Sequence, residues 1–145
     1  MFNQINPSHM VLIDLFEGIT YSGDQNGKNK QYINLEDAYK TLKLYFKDRN
    51  VNIYKGKSSE IMKRLPNEYF DLIYVDADHS YEGTYTDLVL SYEKIKKNGI
   101  ICGHDFNFVL YPEVVKAVQH FLKNFNLKLD YTTRDILPTY GIIKK

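Results

Sequence analysis

The sequence predicts an α/β protein built on a mostly parallel sheet, with antiparallel pairing at its C-terminal end. Three observations carry this. Strand-length apolar runs alternate with segments whose apolar residues recur at helical spacing through most of the 145 residues. Two of those runs, "FDLIYV" (70–75) and "GIICG" (99–103), are apolar at nearly every position, as in strands covered on both faces. Ionisable residues then gather where each run ends, at Asp14, at Asp76, Asp78 and His79, and at His104 and Asp105.

Taken in order, "MVLID" (10–14) reads as a short strand ending in an acid. "QNGKNKQYIN" (25–34) is polar, holds a turn-prone Asn-Gly pair and reads as loop, with Asn34 placed to cap the next helix. That helix runs from Leu35 to about Asp48, with Leu35, Ala38, Tyr39 and Leu42 on one face. "VNIYKG" (51–56) is a strand closed by glycine, and "SSEIMKRLP" (58–66) is a short helix with Ser58 at its start and Pro66 as its stop. Strand 70–76 leads to a helix from about Glu82 to Lys97, and strand 98–103 follows an Asn-Gly turn. "PEVVKAVQHFLKNF" (112–125) opens a helix on proline. "LKLDYT" (127–132) and "YGIIKK" (140–145) read as two closing strands. With no repeat or linker visible, residues 1–145 are expected to form one domain.

Composition narrows the function. Lys and Arg number 19 against 18 Asp and Glu, which argues against a broad nucleic-acid footprint. The lone Cys102 excludes an intrachain disulfide. No apolar run reaches the roughly 18 residues of a spanning helix, and no signal peptide is visible, so a cytoplasmic protein without a membrane partner is expected. A homo-oligomer is left open.

In parallel sheets ligands sit beyond the carboxyl ends of the strands. Carboxylates and imidazoles meeting there, Asp76 with His104 and Asp105, form a donor set for a divalent cation, magnesium or manganese first. The alternative is that each acid caps the turn or helix after it. His79 is the general-base candidate, its ordinary pKa lying near neutrality, or else a histidine held by helix-start hydrogen bonds. Asp14 suits ribose hydroxyls. His9 and His120 read as surface or packing residues.

"LIDLFEG" (12–18), "GKSSEIMKRLP" (56–66), "FDLIYVDADHSYEG" (70–83), "IKKNGIICGHD" (95–105) and "PEVVKAVQHF" (112–121) together resemble the class I S-adenosylmethionine-dependent methyltransferases, most specifically the macrocin and cephalosporin-pathway O-methyltransferase branch. The resemblance covers almost the whole chain. It implies a Rossmann-like sheet, S-adenosylmethionine as cofactor, and a small-molecule or sugar hydroxyl as acceptor. Asp14, Lys57, Ser58 and Asp78 then match cofactor-binding positions. Asp76, His104 and Asp105 match metal ligands, and His79 matches the base. His104 departs from the acid or amide usual at its position, and Lys57 from an acid common at its own. The family's first strand and glycine-rich E/D-x-G-x-x-x-G loop have no counterpart ahead of "LIDLFEG". A truncated domain that binds the cofactor weakly or not at all is therefore expected. Two functions stay open, an O-methyltransferase and a non-catalytic binding or assembly domain on the same scaffold. A metal-dependent hydrolase using the same acids would leave Asp14 unexplained.

Overall fold

The structure, a computed structural model, describes residues 7–22 and 31–145. The chain divides into two compact units, residues 1–61 and 62–145.

In the first unit, β1 (Met10–Asp14), β2 (Ile19–Ser22) and β3 (Gln31–Asn34) precede helix α1 (Leu35–Tyr45), strand β4 (Val51–Lys55) and the short helix α2 (Ser58–Ile61). β1 and β4 pair in parallel with Met10 opposite Val51 and Asp14 opposite Lys55, so both strands deliver their last residues to one end. β2 and β3 form an antiparallel pair, Ile19 opposite Asn34. Neither strand is expected from the sequence: "ITYS" is too short to show alternation, and "QYIN" reads as part of a loop. The rest of that loop, residues 25–30, lies outside the described residues.

α1 starts as its sequence predicts. Asn34 Oδ1 accepts the Glu36 amide at 2.9 Å, and two acids, Glu36 and Asp37, occupy the first turn, where the helix dipole favours them. It stops at Tyr45, short of Asp48, because Phe46 leaves helical geometry and the polar stretch 47–50 folds back through bonds from Lys47 to Leu44 and from Arg49 to Phe46.

In the second unit a 3₁₀ turn (Met62–Arg64) ends ahead of Pro66, and β5 (Phe70–Val75), α3 (Tyr81–Lys94), β6 (Ile95–Gly103), α4 (Pro112–Asn124), β7 (Tyr131–Thr132) and β8 (Tyr140–Ile143) follow. The sheet order is β5-β6-β8-β7, with β5 and β6 parallel and the last two strands antiparallel. The core is Leu88, Ile95, Ile101, Val114, Val118, Phe121, Tyr140 and Ile142, where α3 and α4 meet the sheet.

Three boundaries differ from the expected ones. α3 ends at Lys94, and β6 begins at once with Ile95 opposite Phe70. The Asn98-Gly99 pair makes an irregularity inside β6 rather than a turn before it; Asn98 takes φ 63°, a left-handed conformation asparagine tolerates. β5 is less covered than its composition suggests, with Asp71 and Leu72 exposed, because it is the outer strand of its unit's sheet. β7 shrinks to two residues, its Tyr131 ring lying so close over Gly141 that a Cβ there would sit 1.9 Å from the ring.

Candidate active site

The register of β5 and β6 builds the site. Val75 stands opposite Gly103, and the His104 amide donates to the Val75 carbonyl at 3.2 Å. Asp76 and the His104-Asp105 pair therefore leave neighbouring strand ends side by side. Asp105 takes φ 61°, and this turn places its carboxylate inward, where it is buried. It holds two rings: His79 Nε2 lies 2.8 Å from Asp105 Oδ2, and His104 Nδ1 lies 3.1 Å from Oδ1. His79 Nε2 is also 3.9 Å from Asp76 Oδ1.

One ligand atom each from Asp76, His79 and Asp105 falls within 4.8 Å of the others, the one such group of acids and imidazoles found among the described residues. Two carboxylates at that spacing suit a divalent cation of the magnesium or manganese kind, and His79 Nε2 is placed either to add a third ligand or to hydrogen-bond Asp105. The sequence grouped Asp76 and Asp105 with His104; here His79 completes the trio, and the His104 ring is turned onto Asp105 Oδ1 instead. A cavity of about 10 Å³ opens at this point, lined among others by Asp76, His79, Thr84, His104, Val114 and Tyr140. That is room for an ion or a single water.

Asp78 has a local task. Its Oδ1 accepts the Ser80 amide at 2.8 Å and its carbonyl accepts the Thr84 hydroxyl at 2.9 Å, while Ser80 caps α3 through the Gly83 amide at 3.1 Å. The hydrogen bond from the Ser80 backbone, helped by that from its side chain, holds the Asp78 carboxyl below its ordinary pKa. These bonds anchor the turn that carries His79. Tyr111, just ahead of α4, stacks obliquely on His79 with ring centroids 4.9 Å apart. No sequence pattern marked Tyr111, because its contact with His79 exists only in three dimensions.

In the first unit, Asp14 ends β1, its Oδ1 accepting the Phe16 amide at 2.6 Å. The Gly56 amide donates to the Asp14 carbonyl at 2.9 Å, and Gly56 takes φ 146°. This seats the start of the Lys57-Ser58 segment beside Asp14, with Lys57 exposed and Ser58 opening α2. Asp14, Lys57 and Ser58 thus share one end of their unit.

Comparison with known structures shows the fold. The O-methyltransferase NovP superposes with a TM-score of 0.66 at 16% identity, over 94% of this chain and 60% of NovP. CalS11, a TDP-rhamnose 3'-O-methyltransferase of calicheamicin biosynthesis, gives 0.61 at 14% identity, over 93% of this chain and 58% of its own. A SAM-dependent methyltransferase from Aquifex aeolicus gives 0.61 at 12% identity, over 94% and 69%. The fold is the Rossmann-like α/β fold of class I S-adenosylmethionine-dependent methyltransferases. The chain belongs to a methyltransferase-domain family, whose pattern it matches over residues 2–106. It spans about 60% of the length of NovP and of CalS11. No curated protein matches it in sequence. Among the described residues no helix is long and apolar enough to cross a membrane.

Proposed function

We propose that the chain is an S-adenosylmethionine-dependent O-methyltransferase domain that acts on a small-molecule or sugar hydroxyl with help from a divalent cation, of the macrocin and cephalosporin-pathway type. The observation that carries this is the Asp76, His79 and Asp105 cluster at the carboxyl ends of two parallel strands. The likeness in fold to NovP and CalS11, both O-methyltransferases, supports it.

When bound, the cofactor supplies a methyl group on a sulfonium and the cation lowers the pKa of the acceptor hydroxyl. The protein's own residues do the rest. Asp76 and Asp105 hold the cation. His79 donates Nε2–H to Asp105, which fixes the ring and leaves Nδ1 to take the hydroxyl proton. His104, on the other oxygen of Asp105, steadies that carboxylate. Asp78 holds the turn that aims His79, and any contact it makes with the cofactor comes in addition. Asp14 binds ribose hydroxyls, with Lys57 and Ser58 on the adenine side.

Calorimetric titration with S-adenosylmethionine and with manganese tests this. Saturable binding of both is expected, the cofactor weakened about tenfold by Asp14→Ala, the loss of a charge-assisted hydrogen bond. A folded chain that binds neither would instead be the non-catalytic scaffold.

A further inference from the structure

The cavity at the acid cluster, about 10 Å³, admits an ion or a water but no acceptor body, so the acceptor must rest on the surface around it. That surface is unusual. Phe108, Val109 and Leu110 come three to five residues after Asp105 and are 65%, 86% and 56% exposed, and Ile136 on a second loop is 80% exposed. Single exposed apolar residues are ordinary; four on two joined loops are not.

The loops are built rather than loose. Asn107 Oδ1 accepts the Val109 and Leu110 amides at 2.9 and 3.0 Å, closing a tight turn that turns their side chains outward. Asn107 Nδ2 donates to the Ile136 carbonyl at 2.8 Å, tying the second loop to the first. The Phe106 amide adds a bond to the Pro138 carbonyl at 3.0 Å. Both ends of the first loop reach the site. The Asn107 amide bonds the Asp105 carbonyl at 2.7 Å, and Tyr111 lies on His79.

We propose that Phe108, Val109, Leu110 and Ile136 form the acceptor platform, selecting a hydroxyl compound that carries an uncharged aliphatic or aromatic substituent. This rests on the reading of Asp76, His79 and Asp105 as the cation and acceptor site. Charge supports that occupant: residues 106–112 contain no lysine or arginine, and on the second loop Arg134 is followed at once by Asp135, so the two loops offer no net positive charge to a phosphate-rich acceptor or an acidic membrane. Size argues against a second copy of the chain, since four side chains fall well short of the roughly 800 Å² per partner of a stable interface. Continuity with Asp105 and His79 argues for a ligand that reaches from the loops into the cluster.

The test uses the full chain, methyl-labelled at Ile, Leu and Val, titrated with catechol and with 4-butylcatechol in the presence of magnesium and followed by NMR. The butyl compound should shift the methyls of Val109, Leu110 and Ile136 and bind at least about tenfold more tightly than catechol. Val109→Ser with Ile136→Ser, both at exposed positions, should remove that preference and leave catechol binding within about twofold. Equal affinities, a preference that survives the double substitution, or no binding of either compound would overturn the proposal. So would shifts of the same methyls that follow protein concentration without ligand, which would mean a second copy covers them. The underlying reading is judged separately, by whether catechol binding needs magnesium and Asp76. If it does not, the cation reading fails while the alkyl preference still stands or falls on its own ratio.

Discussion

The Nε2 atom of His79 lies 2.8 Å from Oδ2 of Asp105, joining the turn after β5 to the end of β6. The carboxylate is buried and the ring is about half exposed. A buried carboxylate without a hydrogen-bonding partner is costly, so Asp105 needs its two histidines as much as they need it.

Substitution separates the charge of Asp105 from its backbone. Its φ of 61° is one that asparagine tolerates better than alanine does. Asp105→Asn should keep the fold while weakening cation binding by two orders of magnitude or more. Asp105→Ala should lose the cation too and be less stable than Asp105→Asn by about 1 kcal/mol in urea unfolding. Equal stability of the two variants would show that the left-handed turn carries no strain.

Gly83 sets two effects against each other. Alanine in place of a helical glycine gains up to about 1 kcal/mol of helix propensity. A Cβ at Gly83, however, would lie 2.4 Å from Asp78 Cγ, and Asp78 is pinned by the Ser80 amide. Overpacking of this kind costs about 1–3 kcal/mol, so the clash should win. Gly83→Ala should lower Tm and, by displacing the turn that carries His79, lower turnover as well. A rise in Tm would mean that Asp78 yields freely.

Acid stability should report on Asp78. Its pKa is depressed below the 3.8 of an unperturbed carboxyl, chiefly by the Ser80 backbone hydrogen bond. The folded state therefore binds the proton less readily than the unfolded chain does. The stabilisation is fully present above the unfolded value and is lost as pH falls through the depressed folded value. Urea midpoints of the native chain and Asp78→Asn, followed from about pH 6 down to about pH 2, should converge at the acid end. A gap that stays constant with pH would remove the carboxylate's charge from the account.

Much of this arrangement was legible in the residues themselves. The run from Phe70 to Val75, the cap at Asn34 and the proline opening α4 mark elements through local chemistry, and the structure has each of them. The β2–β3 pair was not legible, because four-residue strands carry too few positions to show a period. Asp76 and Asp105 could be grouped because strand ends in a parallel pair are brought together by topology. Which histidine joins them could not, since that choice depends on the left-handed turn at Asp105 and on where the Ser80 cap sets the His79 ring. Tyr111 reaches His79 only through the packing of α4 on α3.

Proton transfer and cation binding should come apart at His79 and Asp76. Asp76 contributes an exposed carboxylate to the trio, 3.9 Å from His79 Nε2 and beyond hydrogen-bond distance, so Asp76→Ala should leave Tm nearly unchanged. It should nonetheless abolish methyl transfer that depends on the cation, because one of two anionic ligands is gone. His79→Ala should lower turnover by about 10²–10⁴-fold, the range for a lost general base, with the manganese Kd changed less than about tenfold. Raising the pH should then recover part of the His79→Ala rate, since hydroxide or an already ionised acceptor can do without the base. If His79→Ala instead weakens manganese by orders of magnitude, Nε2 is a ligand and the proton leaves by another route. If transfer survives both chelation and Asp76→Ala, the two acids are turn caps and the cation has no part in the chemistry.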